Sequence, residues 1–202
     1  MTLLPLDASA HGDSLWQAVR GPEHDDLWRY LFDGPYRDRE AFDAALAQKA
    51  ASADPLYSAI VDRATGRAVG YASYLRIEPA HRVIEVGSIL FTPLLQRTRG
   101  ATEAMYLMAR YVFDELGYRR YEWKCDARNE PSRRAAERFG FTFEGIFRQH
   151  MIVKGRNRDT AWYSMLDSEW GERKAAFERW LAEENFDGEG RQRTPLGKRR
   201  PL

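Results

Sequence analysis

From residue 13 to residue 52 the apolar positions recur at helical spacing. Asp13 or Ser14 is placed to cap a short helix carrying Leu15, Trp16 and Val19, which Gly21-Pro22 stops. Residues 1–13 before it read as an extended lead-in. His24–Gly34 is a weakly helical stretch crowded with Leu27, Trp28, Tyr30, Leu31 and Phe32. Arg37–Ser52 brings Phe42, Ala45, Leu46 and Ala50 near one face of a predicted helix. After Asp54-Pro55 the pattern changes to that of strands. Tyr57–Arg63, Ala68–Glu78 and Val83–Thr92, joined by turns at 64–67 and 79–82, predict an antiparallel meander. Ala101–Leu116 is the strongest helix, with Met105, Met108, Ala109, Val112 and Phe113 as its apolar stripe and Gly117 closing it. A strand over Tyr118–Asp126 follows, then a helix over Asn129–Phe139 with Pro131 in its first turn. Strands over Phe141–Val153 and Thr160–Leu166, separated by a turn at Gly155–Arg158, lead to a last helix over Ser168–Glu184. A meander followed by alternating strands and helices predicts the α/β class, a mixed sheet flanked by helices. Residues 1–184 read as one domain. Residues 185–202 are basic, rich in Gly and Pro, and expected to remain an unstructured tail.

Composition narrows the functions. The formal net charge is +1, which gives no basis for broad attraction to nucleic acid or an anionic membrane. No apolar run approaches the length of a membrane span, and the N-terminal residues lack the pattern of a secretory signal. Cys125 is the only cysteine, so no internal disulfide forms, and a cytoplasmic location is expected. The four histidines have no metal-ligand spacing, so no metal is expected.

The chemistry is best sought at Gln96, Arg97, Thr98, Arg99, Gly100, Ala101 and Thr102, where a strand passes into the strongest helix. First-turn amides of a helix lack internal partners and carry the positive end of its dipole. A diphosphate would satisfy them, with Arg97 and Arg99 adding charge and Gly100 and Ala101 permitting close approach. An ordinary strand-to-helix loop with solvated arginines fits the same residues. The segment resembles the coenzyme A signature of the GNAT N-acetyltransferase superfamily, Gln/Arg-x-x-Gly-x-Gly/Ala, with Arg99 standing at the usual glycine position. Ala101-Thr102-Glu103-Ala104 is similar to the ribosomal-protein alanine acetyltransferase branch. A second match in the right order is Asn129-Glu130-Pro131-Ser132, continuing through Ala135, Ala136, Glu137 and Gly140-Phe141.

The resemblance implies a mostly antiparallel sheet whose two central parallel strands splay, here near Phe91 and Asp126, to admit the pantetheine of acetyl-CoA. Backbone groups of Ile89, Leu90 and Phe91 would hold that arm. It also implies direct attack by a primary amine in a ternary complex. Relatives often supply a tyrosine to the leaving thiolate. None occurs between Asn129 and Phe139, so Ser132 takes that expected role, with Asn129 holding pantetheine or a water; both are also good helix-start residues. Glu85, mid-strand among Val83, Ile84 and Val86, is the expected base, burial raising its pKa, unless it simply faces solvent. Cys125 alternates with Tyr121 and Trp123 and reads as an inert core thiol.

The acceptor side is expected from the N-terminal helices, the turn at His81 and the hairpin at Gly155–Arg158. Trp28, Tyr30, Leu31, Phe32 and Tyr36 line either a pocket or a core there. Asp25, Asp26 and Asp33 would attract a cationic amine, whether a small metabolite or a protein N-terminus. Alternatives are a succinyl or other acyl-CoA donor, and a non-catalytic protein that only binds CoA. Nucleic acid through the tail is a weaker alternative. A homodimer through a sheet edge or the Trp170/Trp180 helix is also compatible with the sequence.

Overall fold

The computed structural model describes residues 1–197. The β-branched and aromatic runs of the first half form a four-stranded meander: β1 Thr2–Pro5, β2 Leu56–Val61, β3 Ala68–Glu78 and β4 Val83–Phe91. The second half adds β5 Arg120–Asp126, β6 Thr142–Val153 and β7 Arg156–Leu166, in the spatial order β1-β2-β3-β4-β5-β7-β6. All neighbours are antiparallel except β4 and β5.

That parallel pair sets up the site. β4 and β5 are paired only from Val83↔Arg120 to Val86↔Trp123, although β4 continues to Phe91 and β5 to Asp126. The register of β3 on β4 slips by one residue between Tyr71↔Leu90 and Ser73↔Gly87, and Ser88 there has φ +47°. A bulge of this kind bends its strand and increases its twist, drawing β4 away from β5. The two strands therefore leave an opening between Gly87–Phe91 and Lys124–Asp126. Gly70, opposite Phe91, has to be glycine: a Cβ there would stand 2.5 Å from the Leu90 carbonyl oxygen.

Helices cover the sheet from both sides. α3 (Arg99–Arg110), α4 (Glu130–Arg138) and α5 (Asp167–Leu181) pack on the face carrying Ile84, Val86, Tyr121, Trp123 and Tyr163. Seven residues of α3 are buried, so tertiary packing rather than intrinsic propensity holds it. α1 (Ala8–Val19) and α2 (Arg39–Ala50) cover β1–β3 on the other face, through Leu15, Phe42, Leu46 and Tyr71.

Several boundaries differ from the sequence reading. α1 begins at Ala8, capped by Asp7, whose carboxylate accepts from the amides of Ser9 and Ala10; neither Asp13 nor Ser14 is its cap. The expected lead-in contains β1, which pairs with β2. His24–Gly34 is a 3-10 turn over Pro22–Trp28 followed by irregular chain. β7 starts at Arg156, because Lys154 and Gly155, both at positive φ, make the turn by themselves. Arg158 consequently lies within a strand. The described part of the expected free tail instead folds back on α5: Leu196 is buried, and Trp180 Nε1 donates to Gln192 Oε1 at 2.8 Å. Residues 198–202 lie outside the described residues. Trp170 and Trp180 are buried within the chain and offer no surface to a second copy, whereas edge strand β6 exposes Phe143, Ile146, Phe147 and Ile152.

Candidate active site

At the end of β4 the chain turns through residues 92–98 into α3. Gln96 Nε2 donates to the Phe91 carbonyl at 3.0 Å, tying the loop to the strand end. Positive φ falls on Arg97 (φ +60°), and Arg99, which stands at the usual glycine position, enters the helix without strain. Thr98 is the N-cap: Oγ1 accepts from the Ala101 amide at 3.2 Å and donates to the Leu95 carbonyl at 2.7 Å. Among the described residues the amides of Arg97, Arg99 and Gly100 have no hydrogen-bond partner, leaving three donors at the positive end of the helix dipole.

The seven loop residues divide by what they touch. The exposed Arg97 side chain makes no ion pair or hydrogen bond within the described chain. Arg99 points away, donating to the Leu181 carbonyl with its guanidinium 4.7 Å from the Phe186 ring centroid. Gly100 is pressed against the Met1 sulfur, which would lie 2.8 Å from an added Cβ. Ala101 and Thr102 are buried, and Thr102 Oγ1 accepts from Arg138 Nη1 at 3.0 Å. Within β4, Ile89 and Phe91 pack toward the α3 side while Leu90 is buried toward α1 and α2.

Across the opening, Asn129 caps α4 by accepting from the Ser132 amide at 3.2 Å. Ser132 Oγ accepts from Trp123 Nε1 at 3.0 Å and lies against the Cys125 thiol. Burial pushes that thiol above its ordinary pKa, despite Ser132 and the nearby Arg158 and Arg133. A buried thiol is a poor nucleophile near neutral pH. Native protein at pH 7.5 is therefore expected to resist iodoacetamide for hours and to react once unfolded. Stoichiometric labelling of Cys125 in the native state, followed by mass spectrometry, would contradict this.

Glu85 is buried, as anticipated, but its surroundings are charged rather than apolar. It points away from Ile84 and Val86. Arg76 Nε donates to it at 2.6 Å and Lys124 Nζ lies 2.9 Å from it. Lys124 is also 2.7 Å from Glu122 and 3.8 Å from the Trp162 ring centroid. Arg120 Nε donates to Glu122 at 2.6 Å. The carboxylate expected to wait unpaired for an amine is thus already bound by two cations.

A cavity of about 710 Å³ opens beside the end of β5. Its walls come from the segment after α1 (Asp25, Asp26, Trp28, Tyr30), the end of β5 (Asp126, Arg128) and the β6–β7 hairpin (Lys154, Asn157, Arg158). Two cross-links hold these elements together. Tyr30 Oη donates to the Arg128 carbonyl at 3.1 Å, and Lys154 Nζ donates to the carbonyls of Trp28 and Asp33, each at 2.8 Å. Asp126 is the carboxylate shared by cavity and strand opening; sequence reading placed the splayed strand end there but gave its carboxylate no role. It accepts from the Arg128 amide at 2.9 Å.

Of the three acids assigned to a cationic amine, Asp25 and Asp26 line the cavity, although Asp25 also pairs with Arg37. Asp33 does not line it. Burial opposes ionisation of Asp33, yet hydrogen bonds from Lys49 and Tyr36 hold its carboxyl below the usual range. The aromatic run splits likewise: Trp28 and Tyr36 join Phe42 in edge-on core contacts, while Phe32 is exposed. The His81 turn does not line the cavity. Among the described residues no group of three or more His, Cys, Asp or Glu side chains is arranged to hold a metal ion, and no helix is long and apolar enough to cross a membrane.

Comparison with known proteins agrees with this architecture. A family model described as an acetyltransferase (GNAT) domain matches residues 1–142. The solved structure of a GCN5-related N-acetyltransferase from Brucella melitensis is 54% identical in sequence, with a TM-score of 0.94 over 96% of this chain and 88% of that one. A probable acetyltransferase of the GNAT family from Chromobacterium violaceum is 46% identical with a TM-score of 0.78, over 84% of each chain. YnaD of Bacillus subtilis, an uncharacterized N-acetyltransferase, is 27% identical over 157 residues, 77% of this chain and 89% of YnaD.

Proposed function

Because the chain belongs to the GNAT acetyltransferase family, we propose that it moves the acetyl group of acetyl-CoA to a primary amine by direct attack in a ternary complex. The observation that carries this reading is the meeting, at Asp126, of the β4–β5 opening with the acceptor-sized cavity.

The amides of Arg97, Arg99 and Gly100 grip the diphosphate, and the Arg97 guanidinium adds charge. The pantetheine arm lies between Gly87–Phe91 and Lys124–Asp126, where both strands have unpaired edges. The amine enters from the cavity, past Asp25 and Asp26. An ammonium has no lone pair, so a proton must leave before attack. Asp126, at the junction, accepts it directly or through water. Nitrogen then bonds to the thioester carbon, a strand amide near the β4 bulge stabilising the oxyanion. As the C–S bond breaks, the Ser132 hydroxyl hydrogen-bonds to the departing thiolate, which ends protonated by the proton the amine gave up, relayed from Asp126 through water. Its oxygen already accepts from Trp123 Nε1, so the hydroxyl proton can turn from the neighbouring Cys125 sulfur toward the thiolate. Glu85 enters this scheme as a positioning residue within the buried charge cluster.

The test is coenzyme A release, followed with a thiol reagent, across a panel of primary amines with acetyl-CoA and succinyl-CoA as donors. Amine-dependent release above the hydrolysis background is expected, with acetyl-CoA preferred. Arg97→Glu should raise the KM for acetyl-CoA roughly tenfold, about 1.4 kcal/mol of binding, and barely move kcat. Release unaffected by any amine, or an unchanged KM in Arg97→Glu, would contradict the scheme.

A further inference from the structure

Arg158 stands apart from the other cations near the cavity. It is 7% exposed, projects from β7 on the same side as Thr160, and lines the cavity. Arg29 and Arg156, also on the cavity wall, are exposed to solvent, and the remaining neighbours have their hydrogen-bonding groups engaged. Arg128 meets Asp126 and the Asn157 carbonyl, Lys154 meets two carbonyls, and Arg76 and Lys124 meet Glu85. Arg158 has one hydrogen bond, from Nε to Thr160 Oγ1 at 3.2 Å, and a face contact with the Phe32 ring at 5.4 Å. Among the described residues neither Nη group meets an acceptor, and no carboxylate is within ion-pair distance. Burial lowers its pKa from the ordinary arginine value, as expected for a charge without a direct counterion.

A guanidinium is a rigid fork matched to a planar oxyanion, and keeping one buried without a counterion is costly unless a ligand supplies it. We propose that Arg158 is a specificity-determining residue that holds a carboxylate carried by the molecule in this cavity. This deepens the acetyltransferase reading and rests on it. Asp25 and Asp26 on the same walls suit the amine, so the acceptor that fits is an amine also bearing a carboxylate, of the amino-acid type. The same fork would take the free carboxylate of a dicarboxylic acyl group.

Two measurements on the full chain test it. In the first, kcat/KM is compared for free amino acids and their C-terminal amides with acetyl-CoA, and for succinyl-CoA against acetyl-CoA with a neutral amine. At least a tenfold preference for the carboxylate form is expected on one of the two substrates, identifying its bearer. Arg158→Gln should abolish that preference through KM, Arg158→Lys should restore part of it, and the KM for acetyl-CoA with a neutral amine should not change. In the second, succinate and succinamide are titrated while the Trp28 indole signal is followed by NMR. Saturable binding of succinate alone, lost in a folded Arg158→Gln protein, is expected. Turnover without carboxylate preference or succinate binding overturns this inference and leaves the transferase reading standing. Succinate binding without turnover on any amine overturns the transferase reading and leaves the carboxylate site.

Discussion

Asp126→Asn is expected to lower kcat about 10²- to 10⁴-fold, the range for losing a positioned general base, while the KM for acetyl-CoA stays within a factor of two. Asparagine is nearly isosteric and can still accept from the Arg128 amide through its carbonyl oxygen, so the β5–α4 turn should be retained. What is lost is a group able to take a proton at the junction of cavity and opening. Glu85→Gln supplies the contrast. Its carboxylate is occupied by Arg76 and Lys124, and a fall in kcat of less than tenfold is expected. A large loss in Glu85→Gln beside a near-normal Asp126→Asn would reverse the assignment of the base.

Lys124→Met should markedly lower the stability of the sheet. The Lys124 side chain is 3% exposed and bridges Glu85 and Glu122, two carboxylates directly opposite each other on β4 and β5. Glu85 keeps Arg76 and Glu122 keeps Arg120, but the two buried carboxylates then face each other without the cation between them, a loss of up to about 3–5 kcal/mol, or a drop in Tm on the order of 10 °C for a chain of this length. The pH dependence has a definite sign. Burial alone would raise the Glu122 carboxyl, but hydrogen bonds from Lys124 and Arg120 outweigh it and hold it below its ordinary value of 4.5. Its contribution to stability is therefore present above that value and lost as pH falls through the lowered one. In Lys124→Met the acid-unfolding midpoint should move to higher pH. Lys124→Met with Glu122→Gln should recover much of the loss, and thermal unfolding across pH 3–8 would show it. An unchanged Tm in Lys124→Met would mean that the cluster contributes nothing to stability.

Features encoded locally were legible in the sequence. The meander followed from alternation and turn residues, α3 from its apolar stripe, and the Asn129 cap from its place before Pro131. The Gln96–Thr102 loop was recognisable because a motif, a strand end and a helix start coincide there. Features created by pairing of distant segments were not legible. Glu85 sits in an apolar run, yet its partners arrive from Arg76 on β3 and Lys124 on β5, and nothing in residues 83–86 announces them. Arg99 looks like a phosphate ligand until the chain after α5 returns to offer Leu181 and Phe186. Arg158 was assigned to a turn because Gly155 and Asn157 both favour one. A two-residue turn at Lys154-Gly155 lengthens β7 and brings Arg158 into the cavity wall. Asp126 was read only as the point where a strand splays away, because the value of its carboxylate depends on the cavity that distant segments build beside it.

The most direct test of the whole account is an amide chemical-shift map of the protein titrated with acetyl-CoA. The account predicts saturable 1:1 binding, with the largest shifts at the amides of Arg97, Arg99 and Gly100 and along Gly87–Phe91 and Lys124–Asp126. An absence of saturable binding, or binding whose shifts avoid both the start of α3 and the gap between β4 and β5, would contradict it.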